Sequence, residues 1–248
     1  MNSIAQAQIP STIIDAKRRE RIFYTGMSIT IAITVFAGFS RTWFLRPYFS
    51  QLQALIPLLV IHGIIFSSWI ALFVTQTSLI ATKRRRTHMR LGVAGGVLAC
   101  LMLIVGSVTA IIRAKSPSPI PGINPLSFLT IPLGDMLVFA ILIGSAFYFR
   151  YKLDIHKRLM LLGTMALLPA AVARLPFAFI EQSGPLAFYG LSDLFIVPCI
   201  AFDIVARGRP HRATMLAALL LVLTQPLRLI IGGTHAWLVF ATWLTHWT

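Results

Sequence analysis

The chain has 248 residues, 57% hydrophobic and 12% charged, with mean hydropathy +0.80 and formal net charge +15. Soluble domains carry about 25% charged residues, and several apolar runs here reach the ~20 residues that cross a bilayer, so a soluble enzyme or binding module is excluded. The basic residues form short clusters between apolar runs, which argues against a nucleic-acid partner despite the charge. The two cysteines, Cys100 and Cys199, fall inside apolar runs, so no disulfide framework is implied.

In chain order, residues 1–21 read as a polar cytoplasmic tail with Lys17, Arg18, Arg19 and Arg21. That order of charge and apolarity does not fit a cleavable signal peptide. Span 1 is expected from Ile22 to Ser40, followed by a loop with the interfacial aromatics Trp43, Phe44 and Tyr48. Span 2 is expected from Ala54 to Ala81. It carries His62, Phe66, Trp69, Phe73 and Gln76 at helical spacing, a stripe that reads as a bundle-facing side. Span 3 follows from Leu91 to Ile112. Pro117, Pro119, Pro121 and Pro125 make Arg113 to Leu129 a loop, because proline lacks a backbone donor. Span 4 is expected from Ile131 to Phe149, span 5 from Leu159 to Phe179, span 6 from Leu186 to Ala206, and span 7 from Ala213 to Ile231. Gly232-Gly233 then breaks the helix. Residues 232–248 read as a short outer interfacial helix with Trp237, Phe240, Leu244 and Trp247 on one stripe, or as a continuation of span 7.

The fold expected is therefore an all-α membrane protein, a seven-helix transmembrane bundle over residues 22–231. Placing the N-terminus inside puts sixteen of the 22 basic residues on the inner side, against Arg41, Arg46, Arg113 and Lys115 outside. The positive-inside rule then gives an N-in, C-out topology. This is opposite to a rhodopsin-type receptor, and span 7 has no lysine for a retinal Schiff base. Spans 2–3, 4–5 and 6–7 would be three parallel helical-hairpin repeats, with span 1 added.

Each hairpin closes on a basic loop with one histidine: residues 84–91 around His88, 152–159 around His156, and 207–212 around His211. Arg90, Arg158 and Arg212 follow closely. Two readings stand. Paired histidines from different helices hold haem iron, with arginines on the propionates, and three histidines hold zinc with a fourth position left for water. Alternatively, the histidines are solvated interface residues near lipid headgroups. Asp154 and Asp203 are candidate acceptors for the imidazoles.

These boxes resemble a large uncharacterised family of bacterial seven-span inner-membrane proteins. The resemblance rests on His62-Gly63 with Trp69 and Gln76-Thr77, on His88 to Gly92, on His156 to Met160 with Ala173-Arg174, and on Gln225 to Arg228. It implies a shared fold and no particular activity. The His156–Met160 box alone is also similar to small membrane proteins linked to cytochrome oxidase maturation.

A second polar layer lies in the outer half of the spans: His62, Asp135, Arg174, Asp193, Gln225 and Arg228. Ionisable groups at such depth are costly and face the bundle interior. Two aspartates and two arginines balance, so the layer is either a pair of interhelical salt bridges or an outward-facing pocket for an anionic ligand. His62 would then serve as a proton acceptor or an outer haem ligand. The leading function expected is a histidine-ligated haem b or metal-binding protein with a redox or assembly role. The alternatives are a transporter or lipid- or small-anion-binding protein using the outer Asp/Arg pocket, and a zinc-dependent membrane hydrolase. No Gly-rich phosphate loop, Cys-x-x-Cys pair, nucleophile elbow or His-Glu-x-x-His helix occurs.

Overall fold

The structure, a computed structural model, describes residues 11–49, 55–120 and 122–246. The first ten residues of the expected tail, Ala54 at the expected start of span 2, Pro121 and Trp247 lie outside them. No strand occurs among the described residues. The helices are α1 (Ser11–Phe39), α2 (Pro57–Ala81), α3 (Arg85–Arg113), α4 (Pro125–Phe128), α5 (Thr130–Tyr148), α6 (Leu153–Met165), α7 (Leu168–Val172), α8 (Ala178–Ser183), α9 (Pro185–Asp193), α10 (Ile196–Arg207), α11 (Arg212–Gly232) and α12 (His235–His246). They supply seven segments long and apolar enough to cross a membrane, and this is a multi-pass membrane protein. Helices satisfy every interior backbone group internally, which a hydrocarbon solvent requires. Large apolar side chains such as Val93, Ile104 and Leu216 point outward and are exposed, as a lipid-facing surface requires.

The span Leu153–Val172 sits at the centre. In its apolar window 67% of the residues are buried, against 17% for Pro57–Ala81 at the periphery. The main core joins Met27 and Ile31 of α1, Leu142 of α5, Leu162 and Met165 of α6, and Leu221 of α11. The α2 stripe faces inward as expected: Trp69 and Phe73 are buried. Trp69 donates Nε1–H to Thr164 Oγ1 at 3.3 Å and meets Phe139 edge-on. The α1–α7 crossing is a backbone contact, because a Cβ on Gly38 would lie 2.1 Å from the Ala171 carbonyl oxygen.

Several boundaries differ from expectation. Residues 11–21 are helical, and α1 runs on through a π-helical turn (Ser40–Phe44). The proline-rich loop contains α4, whose start is capped by Asn124 accepting from Leu126 N–H at 2.8 Å. Of the two readings of the tail, a short helix or a continuation of span 7, the first describes residues 235–246, a separate helix held to α4 by Trp237 Nε1–H donating to the Leu126 carbonyl at 2.7 Å.

The largest departure is that spans 5 and 6 are interrupted. Span 5 stops at Val172 and is split between Met165 and Leu168; span 6 is split between Asp193 and Ile196. A proline ring clashes with the carbonyl four residues earlier. Pro169 thereby targets Met165, where α6 ends, and Pro198 targets Leu194, just after α9 ends. Pro226 sits inside α11, which continues through it.

Candidate functional site

At the end of the bundle that carries the basic loops, the three loop histidines do three different things. His156 Nδ1 lies 2.8 Å from the Ala146 carbonyl, so the ring ties the start of α6 to the end of α5. His211 is the N-cap of α11: its Nδ1 accepts from Ala213 N–H at 3.0 Å. His88 is half-buried near the start of α3, with Nδ1 unpartnered. It lies near His156 and against the backbone of Gln76 on neighbouring α2, and Gln76 Oε1 is also buried without a partner among the described residues. No group of three or more His, Cys, Asp or Glu side chains is arranged for a metal ion among the described residues. Among the described residues the three histidines are thus not brought together as one ligand set. His211 spends its Nδ1 on the helix cap, since an N-cap acceptor satisfies an otherwise orphaned N–H.

That cap gives a pH prediction. Burial, then the charges of Arg158 and Arg207, hold the His211 imidazole below its ordinary value. The folded chain thus keeps His211 neutral where the unfolded chain protonates it. Stability from this residue is present above about pH 6.5 and falls as pH drops below it. Thermal unfolding of His211→Asn, which keeps a capping acceptor, is expected to lose that part of the pH dependence. An unchanged pH profile would remove His211 from this role.

Arg158 also departs from expectation. It is 4% exposed, and its guanidinium is committed to Asp203, which is 1% exposed. Nε donates to both Asp203 oxygens at 3.0 and 3.3 Å, Nη2 forms a further short contact, and Nη1 donates to the Asp154 carbonyl at 2.7 Å. Asp203 Oδ2 also accepts from Thr214 Oγ1 at 2.5 Å and from His211 N–H at 3.2 Å. Arg158 is therefore no partner for a haem propionate, and Asp203 supports no imidazole ring; the two lock α6, α10 and α11 together. Around them Lys157 Nζ bridges Glu20 at 2.8 Å and Asp154 at 2.5 Å, which docks α1. Arg90 and Arg212 are exposed.

The outer polar layer divides into two sites in the half of the bundle remote from the basic loops. In the first, Arg228 of α11 pairs with Asp135 of α5, and the two are 7% and 8% exposed. The Arg228 stem lies across Gly134, where a Cβ would come within 2.5 Å of Cδ and Nε. One turn away, Gln225 Nε2–H donates to Asp193 Oδ1 of α9 at 2.8 Å. Both pairs line one small cavity with Met165, Ala166, Pro169, Ser192, Ile196 and Leu221. Those residues are the break in span 5, the break in span 6, and the stretch of α11 beside Pro226. Two buried donors close to this cluster, Arg228 Nε and the Tyr189 hydroxyl, give no hydrogen bond among the described residues, and Tyr189 Oη itself faces the Arg228 side chain.

In the second, Arg174 does not meet an aspartate among the described residues. It packs over the Phe39 ring at 4.8 Å and donates to the Ala170 carbonyl at 2.5 Å. The expected Arg174 pairing fails because span 5 ends at Val172 and carries Arg174 toward α1 instead. His62 stacks on Phe66 at 4.1 Å with Nδ1 unpartnered, beside Trp43, which covers Gly63 and donates to Ser67 Oγ at 3.0 Å.

Sequence reasoning missed the role of the helix breaks and of Tyr189. Pro169, Pro198 and Pro226, one in each of spans 5 to 7, were the available signal. Compared with family models, curated proteins and solved structures, the chain gives no match.

Proposed function

We propose that the chain is a membrane transport protein that binds a small polar solute where spans 5, 6 and 7 are interrupted or carry proline. The observation supporting this is that the buried Asp135–Arg228 pair and the half-buried Asp193–Gln225 pair meet at the two breaks and beside Pro226. Irregular backbone at membrane depth is tolerated where it is buried in protein or lines a cavity. In secondary transporters, discontinuous helices of this kind build the solute and ion sites. Arg228 Nε and Tyr189 Oη are spare donors, so the solute carries a hydrogen-bond acceptor, such as a carboxylate or phosphate. Thermal unfolding of the purified protein against carboxylates, phosphate, amino acids and amines tests this. A ligand at 100 times its Kd stabilises by about 2.7 kcal/mol, and Arg228→Lys should abolish that gain. Equal stabilisation of wild type and variant, or none across the panel, overturns the reading.

A second reading keeps the haem b or metal proposal for His88 and His156 alone. It is favoured by one observation: with Nδ1–H on the Ala146 carbonyl, His156 leaves Nε2 as an acceptor, the orientation ligating histidines adopt. An absorption spectrum and metal analysis of wild type and His88→Ala decide it. A Soret band lost in the variant supports haem, and a cofactor-free, fully functional wild type ends the reading.

The charge bias supports an N-in, C-out topology, and the family resemblance supports the bacterial inner membrane. Reporter fusions after Lys115 should read periplasmic, and those after Arg86 or Arg209 cytoplasmic. A cytoplasmic C-terminus contradicts this topology.

A further inference from the structure

We propose that transport is proton-coupled and that Asp193 carries the proton. This rests on the solute-site reading and names its coupling ion. The starting point is charge. Asp135 and Arg228 cancel, whereas Asp193 has no ion-pair partner among the described residues. Its contact is the neutral amide of Gln225, at 2.8 Å. The groups facing it are Asp135 from α5, Gln225 and Arg228 from α11, and Ser192 and Tyr189 on its own helix. The α6–α7 break contributes only Met165, Ala166 and Pro169. Ser192 Oγ–H is already given to the Phe188 carbonyl at 2.6 Å. The cavity thus holds one carboxylate in excess, inside a membrane-spanning segment.

Such a charge is neutralised by a proton or by a bound cation. A metal cation needs several oxygen ligands, and among the described residues no third acidic side chain joins Asp135 and Asp193 in the lining of this cavity. A proton needs only a partner that tolerates both states, which Gln225 provides. Its Nε2–H donates to the ionised carboxylate; after a half-turn of the amide, Oε1 accepts from the protonated acid. Position adds a path for coupling. Asp193 closes α9 at the span 6 break, and Gln225 immediately precedes Pro226, so movement at either interruption makes or breaks the pair.

The test is pH-difference infrared spectroscopy of the full-length protein in lipid, which needs no identified solute. Wild type should show the carbonyl stretch of a protonated, half-buried carboxyl group that disappears on raising the pH. Asp193→Asn, which keeps the Gln225 contact, should lose this band entirely, and Asp135→Asn should keep it. In Gln225→Leu the band should remain but shift in frequency, because its hydrogen bond is gone. A band that survives Asp193→Asn, or that is absent from wild type, overturns the proposal. If the band behaves as expected but no solute stabilises the protein, the proton site stands and the solute reading falls. Solute binding without the band keeps the solute site and removes the proton from Asp193. Sodium replacing the proton would appear as a wild type lacking the band and stabilised by sodium chloride over choline chloride, which also rejects the proposal.

Discussion

Replacing Asp203 by alanine is expected to cost about 3–5 kcal/mol, the penalty for leaving one member of a buried ion pair behind. Arg158, 4% exposed in the wild type, would lose three guanidinium contacts to Asp203. Thr214 Oγ1 and the His211 N–H would lose their acceptor in the same step. Those contacts span α6, α10 and α11, so the loss loosens three helices at once. Glu20→Ala is the contrast. The Glu20–Lys157 pair is partly exposed, and such pairs are worth about 0–1 kcal/mol. The double change Arg158→Met with Asp203→Leu should recover much of the loss, because a buried pair replaced by apolar groups is often neutral. Denaturant unfolding in detergent of wild type and these three variants measures this. An Asp203→Ala cost no larger than that of Glu20→Ala would refute the lock.

The seven spans were legible in the sequence because length and apolarity are local properties. So was the inward stripe of Trp69 and Phe73, which helical spacing alone fixes. The pairing of polar groups was legible only in part. Arg158 finds Asp203 across 45 positions and Arg228 finds Asp135 across 93, and nothing local encodes such partners. Balanced charge suggested two salt bridges, but balance does not choose between Asp193 and Gln225 or send Arg174 to Phe39. The three basic boxes looked alike, yet their histidines diverge. His211 opens its helix and caps it, while His156 lies one turn inside its own and reaches back across the hairpin. Pro169 and Pro198 were visible as residues. Their effect on the spans was not, because hydropathy averages over a span and hides a break within it.

The cavity site yields a ranking that distinguishes ion pair from hydrogen bond. Asp135→Ala should cost about 3–5 kcal/mol, since it strands the Arg228 guanidinium among Gly134, Thr224 and the cavity. Asp193→Ala strands only the Gln225 amide, for which about 1–3 kcal/mol is expected. Arg113→Ala, at an exposed helix end, should be within about 0.5 kcal/mol of wild type. Gly134→Ala is an independent check that leaves both charges in place. Its methyl group would occupy the space of Arg228 Cδ and Nε, so the guanidinium must leave Asp135. Part of the Asp135→Ala loss should therefore appear without any acidic residue being removed, and Gly134→Ala added to Asp135→Ala should cost less than the sum of the two singles. Additive losses, or equal losses at Asp135, Asp193 and Arg113, would mean that Arg228 does not depend on this carboxylate for its place in the bundle.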